Sequence, residues 1–288
     1  MPEENAYYTN RIEKEDDFEA YLCVDYFNKR LRVDDYRGDL HSLCLRISEI
    51  AKENALTKIF IKSRENDWQT LLSKGYMLEG IYKGYFNGSD AFCMALYFDL
   101  ERRTSDYWME EDRILNDVLL LPLKRERTPV PENFTLRLAS EQDAGQLASL
   151  YKAVFQTYPT PMTNPSYIEK VMREGTIFYL FEVSGVTVSA ASVEMNTVYG
   201  NAEITDCATL PAFRKHGLLR LLIHALEDNL LERNITCGYS LARALSFGMN
   251  AALFQLGYRY YGRLTKNCEI YDKFEDMNLW VKPISASS

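Results

Sequence analysis

The stretch AEITDCATLPAFRKHGLLRLL, residues 202–222, decides the reading of this chain. A β-type run passes through Pro211 into Arg214-x-x-Gly217 and then into a leucine-rich run that predicts a helix from Arg214 to about Arg233. A helix that starts behind a Gly-containing turn offers unpaired N–H groups and the positive end of its dipole, which suits a diphosphate. Arg214, Lys215 and Arg220 add positive charge at that corner. So short a motif takes its specificity from its surroundings.

Those surroundings resemble motif A of the GNAT superfamily of acetyl-coenzyme A dependent N-acetyltransferases, whose pattern is Gln/Arg-x-x-Gly-x-Gly/Ala. Arg214 and Gly217 match it, and Leu219 stands where the family has a small residue. Ala202-Glu203-Ile204 with Cys207-Ala208 is similar to the strand that carries the general-base glutamate of the histone-acetylating members. Glu203 lies eleven residues before Arg214, as in those members. Downstream, Asn250 and the run Leu253 to Tyr258 resemble the family's helix ending in Gly-Phe/Tyr, so the likeness covers roughly 134–282. SLARALSFGMNAALFQLGYRYYGRL (240–264) and MNLWVKP (277–283) further resemble the β-lysine N-acetyltransferase branch.

The resemblance implies an α/β (α+β) GNAT fold: a mixed twisted sheet with a central splay, flanked by helices. It implies acetyl-coenzyme A as co-substrate, with backbone contacts at Cys207, Ala208 and Thr209. Phosphate contacts are implied at Arg214, Lys215, His216, Gly217, Leu218 and Leu219, and an adenine-side contact at Asn250. The acceptor it implies is a small amine, first the terminal amine of β-lysine, giving an N-acetyl-β-lysine osmolyte; the alternatives are another polyamine, a protein lysine, or a non-catalytic acyl-coenzyme A sensor.

Bulk properties agree with a globular enzyme. The 288 residues allow two domains. A net charge of −8 with scattered Lys and Arg argues against duplex nucleic acid, which needs a clustered basic face. Lys124-Arg125-Glu126-Arg127, the basic cluster outside the motif, reads as a solvated linker. The polar N-terminus and the lack of an apolar run near 20 residues predict neither signal peptide nor membrane helix, hence a cytoplasmic protein. Six dispersed cysteines and three dispersed histidines predict reduced core residues and no metal site. The state of association is open.

Arg127 to Asn133, RTPVPEN, reads as an extended connector and divides the chain into 1–130 and 131–288. After it, FTLRLAS is a strand, Ser140 to Asp143 opens a helix, and Ser184-Gly185 joins strands 176–182 and 186–194. Strand 202–210, strand 235–242, helix 247–256 and two last strands follow. The N-terminal part carries an echo: Leu71 to Gly80 (LLSKGYMLEG) parallels Leu253 to Gly262 (LFQLGYRYYG), each followed at similar distance by Met94 or Met277. We expect it to be a partial or degenerate relative of the catalytic fold without cofactor binding, since it has no counterpart of the Arg214-x-x-Gly217 corner.

An alkyl amine with a pKa near 10.4 is uncharged in only about one molecule in a few thousand at pH 7, so a base is needed. Glu203 is the first candidate by family position, and Glu194 is the alternative base or ammonium anchor. Asp206 is a third, although strict alternation puts it on the face opposite Glu203. The family's acid tyrosine falls at Leu253 or Phe254, and a thiolate can leave without one. Arg243 is expected to bind a substrate carboxylate, and Glu194, Glu269 or Asp272 a second ammonium.

Overall fold

The structure, a computed structural model, describes residues 7–124, 126–270 and 273–285. In chain order its elements are β1 (Tyr8–Lys14), β2 (Phe18–Asp25), β3 (Arg30–Gly38), α1 (Leu40–Glu53), β4 (Lys58–Ser63), α2 (Trp68–Ser73), β5 (Met77–Phe86) and β6 (Ser89–Tyr97). Two helices follow, α3 (Leu100–Arg103) and α4 (Trp108–Leu119). The remainder is β7 (Thr135–Leu138), α5 (Ala144–Val154), α6 (Pro165–Arg173), β8 (Ile177–Val183), β9 (Val186–Asn196) and β10 (Asn201–Thr209). Then come α7 (Leu218–Glu232), β11 (Cys237–Arg243), α8 (Phe247–Gln255), β12 (Arg259–Ile270) and β13 (Lys273–Pro283).

All thirteen strands join one sheet in the order β1-β2-β3-β4-β6-β5-β12-β13-β11-β10-β9-β8-β7. Read outward from the β5–β12 seam, each half repeats the other. β12, β13, β11, β10, β9 and β8 correspond to β5, β6, β4, β3, β2 and β1. The parallel pair is β10 with β11 in one half and β3 with β4 in the other, each with an intervening helix, α7 or α1.

The echo in the sequence sits at equivalent places. Gly75 and Gly257 both end a helix in the left-handed region, at φ 88° and 91°. Tyr76 N–H and Tyr258 N–H each donate back to the helix, to Leu71 O and Leu253 O, both at 3.1 Å. Gly80 and Gly262 lie opposite each other across the seam.

Local sequence accounts for most elements. Ser140 and Asp143 form a capping box at the start of the second half, and Asn164 with Pro165 starts α6. Ser184 and Gly185 both take positive φ in the β8–β9 turn. In α7, Leu218, Leu221, Leu222, Leu226 and Leu230 are buried on the sheet, each contributing roughly 1.5–3 kcal/mol. α5 and α6 cover the opposite face.

Two expectations need correction. The helix after the motif begins at Leu218, not Arg214, because Pro211–Phe213 forms a 3₁₀ turn and Lys215 and Gly217 take positive φ. The cores do not divide at residue 130: Leu115 and Val118 of α4 pack into the core of the second half.

Candidate active site

β10 and β11 pair only over Asn201–Glu203 with Cys237–Tyr239. Beyond that point β10 continues along β9 and β11 along β13, so the sheet splays. A groove of about 730 Å³ follows the splay, with Cys207 and Thr209 on one lip and Ser240 to Arg243 on the other. Backbone groups along such an open lip suit an extended amide-bearing chain.

The groove ends at the Arg214 corner. Gly217 caps α7 at φ 75°, with no side chain bonded to the first N–H groups. Arg214, Lys215 and His216 are exposed there, and Arg214 is steadied by an Nε–H bond to Thr209 O at 3.3 Å. Leu219 leans on the core and lines the groove without closing it.

At its inner end the groove meets a second space, a cavity of about 170 Å³. The two share Tyr158, Thr205, Asp206, Leu241, Ile270 and Met277. The C-terminal half gives the cavity Glu194, Glu203 and Asp206; the N-terminal half gives it Arg30, Arg32 and Lys62. Tyr82 and Tyr239, both buried, wall it.

Glu203 lies directly opposite Glu194 in the β9–β10 ladder. Asp206 reaches the same space because β10 bulges between Thr205 and Ala208, with Asp206 at φ 49°. Strict alternation would have turned it away, so that expectation is corrected. Asp206 is buried and accepts hydrogen bonds from Ser192 Oγ at 2.6 Å and Tyr158 OH at 3.0 Å.

All three carboxyls are shifted upward, first by burial. Glu194 opens onto the cavity but is densely surrounded by protein. Burial pushes its carboxyl up to about 8, with Asp206 and Glu203 adding repulsion and Arg32 and Lys62 pulling the other way. Glu203 is raised by burial against the pull of Lys62 and Arg32. Asp206 is raised by burial against the bonds from Ser192 and Tyr158.

Two expected residues have other employment. Asn250 is fully buried; its amide donates to Arg243 O and Ser246 O, and its oxygen accepts from Asn278 and Trp280. Those groups are committed to the core. Arg243 lines the groove rather than the cavity and bonds the buried Glu275 at 2.8 Å. Glu269 does not line the cavity, and Asp272 lies outside the described residues.

Four cavity residues escaped the sequence reading. Arg30 and Arg32 alternate with Leu31 and Val33, a pattern shared by any half-buried strand. Lys62 ends an apolar run, and Tyr158 lies in a loop. The signal available was that Arg30-x-Arg32 and Lys58-x-x-x-Lys62 put cations on strands that must be buried mid-sheet. Among the described residues no cluster of metal-ligand type occurs and no helix is long and apolar enough to cross a membrane.

Fold and splayed groove together suit an acyltransferase. The chain belongs to the GNAT acetyltransferase family, whose model, "Acetyltransferase (GNAT) family", matches residues 145–258. It is 43% identical over 267 residues to N-acetyltransferase YodP of Bacillus subtilis, covering 92% of this chain and 96% of that one. It is 35% identical to the Beta-lysine N(6)-acetyltransferase of Methanosarcina mazei (86% and 99% covered) and 31% identical to that of Methanococcus maripaludis (92% and 96%). YncA of Salmonella typhimurium, whose structure is described with acetyl-CoA, matches 55% of this chain and 97% of its own at 16% identity and a TM-score of 0.46.

Proposed function

We propose that the chain transfers the acetyl group of acetyl-coenzyme A to the terminal amine of β-lysine, giving N6-acetyl-β-lysine. One observation carries this reading: the groove opens, at Tyr158, Thr205, Asp206 and Leu241, into a small cavity holding carboxylates and cations together. A diamino acid offers the matching charges. The β-lysine N(6)-acetyltransferases, similar over most of their length, point to the same substrate.

The Arg214 to Leu219 corner would hold the diphosphate, and the lips at Cys207 to Thr209 and Ser240 to Ala242 the pantetheine amides. The co-substrate supplies an activated acyl thioester. Glu203, deprotonated, accepts a proton from the substrate ammonium, leaving the amine lone pair to attack the carbonyl carbon. Backbone N–H near Cys207 to Thr209 stabilises the oxyanion as the C–S bond prepares to break. The sulfur leaves as thiolate and takes up a proton. Tyr158, at the meeting of groove and cavity and bonded to Asp206, offers a hydroxyl for that proton.

Acetylation would change the substrate from one net positive charge to a neutral zwitterion, the charge state suited to a compatible solute. The reaction fits the cytoplasm, where acetyl-coenzyme A is made. A cavity of this size favours a free amino acid over a lysine in a folded protein. Incubation with acetyl-coenzyme A and a panel of diamines, amino acids and lysine peptides, with free thiol followed, tests the reading. Selective turnover of β-lysine is expected; preference for a lysine peptide would refute it.

A further inference from the structure

The reading of the cavity as an amine site leaves one end of it unexplained. Arg30, Arg32 and Lys62 all come from the N-terminal half, which among the described residues has no counterpart of the Arg214 corner. Where the second half has Gly217 and exposed cations, the first half has Asp39, whose carboxylate already accepts from Ser42 N–H at the start of α1. That helix end is filled by a negative charge and repels a diphosphate. The splay survives: β3 and β4 pair over Arg30–Val33 with Lys58–Ile61 and then part.

Counted from the first pair of each parallel ladder, Arg32 occupies in β3 the place that Glu203 occupies in β10. The two line the same cavity. Equivalent positions of the two copies thus present opposite charges to one space.

The hydrogen bonds of these cations within the protein leave one donor over, on Arg32. Arg30 gives Nε–H to Asp25 at 2.8 Å and Nη1–H to Asn267 O at 2.9 Å. Lys62 bonds Asp34 at 2.8 Å and lies over the Tyr85 ring. Arg32 shares the same Asp34 through Nη2 at 2.9 Å, and its Nε is buried with no acceptor among the described residues. Three cations share two close carboxylates, Asp25 and Asp34. Arg32 thus keeps a donor for one carboxylate, while a phosphate dianion would meet Glu194, Glu203 and Asp206 nearby.

We propose that Arg32, supported by Arg30 and Lys62, binds the carboxylate of the amine substrate, so that the N-terminal half selects an amino acid over a simple diamine. This rests on the cavity being the amine site. The substrate is then held by its two ends, with the far amine left at the groove.

The test compares β-lysine with 1,4-diaminopentane, the same molecule with hydrogen in place of the carboxylate, using the full-length protein. Wild type is expected to prefer β-lysine. Arg32→Gln should raise KM for β-lysine about 10- to 100-fold. The loss of kcat/KM should be at least about 10-fold larger for β-lysine than for the diamine, and KM for acetyl-coenzyme A should not move. Arg32→Lys should recover part of the loss, and thermal unfolding of both variants separates binding from folding. Equal loss on both substrates, or no loss on β-lysine, overturns the proposal. If β-lysine is not turned over, the comparison moves to whichever amine in the panel is. A preferred substrate lacking a carboxylate overturns the Arg32 assignment; one bearing a carboxylate, with KM raised in Arg32→Gln, upholds it while the β-lysine reading falls.

Discussion

Glu203 and Glu194 face each other across the β10–β9 ladder, two carboxyls directly opposite that both line the charged cavity. Like charges so placed destabilise an antiparallel pair, and one proton held between them relieves the repulsion. The carboxyl of Glu194, pushed up to about 8, is the one that keeps it. Glu203, on which Lys62 and Arg32 pull against burial, is the base we propose.

A stability consequence follows for Glu194. Its folded pKa lies above its unfolded value of about 4.3, so the native state binds the extra proton and the fold loses stability as pH rises from there to about 8. Glu194→Gln cannot ionise. Its melting temperature should match wild type near pH 4 and exceed it increasingly up to pH 8.5. A constant offset across that range would show that the carboxyl titrates normally.

For Glu203 the expected effect is on rate. Glu203→Gln should lower kcat by about 10²- to 10⁴-fold at pH 7 with KM for acetyl-coenzyme A little changed. In wild type, kcat/KM should rise with pH through a value above the ordinary carboxylate range, because burial raises Glu203. Rate and pH profile are read together. If Glu194→Gln suffers the larger rate loss instead, the base is Glu194.

The catalytic half was legible because its signals are local. A proline, a glycine at positive φ and a leucine-rich run specify the corner within a dozen residues, and Ser140 with Asp143 caps the next element the same way. The repeat was legible through Gly75 and Gly257, since both positions need left-handed backbone. What stayed hidden is long-range. Nothing near Arg32 in sequence says that β3 will share a cavity with Glu203, because that depends on how the two halves of the sheet come together. Asp206 was misplaced for a smaller reason: one extra residue in β10 resets the alternation.

At the cofactor corner, Gly217→Ala forces a Cβ into left-handed backbone at φ 75°, with Arg220 Nη2 at 3.4 Å. The strain of roughly 1–2 kcal/mol corresponds to about a 5- to 30-fold weaker affinity for coenzyme A if it is relieved by reshaping the loop. Arg214→Glu should weaken binding further, and by more at low salt than at high salt, because the group is exposed. Titration calorimetry with coenzyme A at two salt concentrations reads both. An unchanged affinity in both variants would place the diphosphate elsewhere.

The seam gives the last prediction. A Cβ on Gly262, where φ is 142°, would sit 2.1 Å from Glu79 O and 2.4 Å from Gly80 Cα, all backbone that cannot swing aside. Glu79 itself bonds Thr265 N–H and the fully buried Lys58, so a shift there disturbs a buried ion pair. Gly262→Ala should therefore cost about 2–4 kcal/mol of stability. Gly75→Ala, with nothing within 4 Å of the new Cβ, should cost only the left-handed backbone term, roughly 1–2 kcal/mol. Because the cavity is built from both halves while the groove, Lys124 apart, is lined by one, the Gly262 variant should lose affinity for the amine before it loses affinity for coenzyme A. Urea unfolding and paired titrations measure this; equal costs for the two glycines would mean that the seam yields without strain.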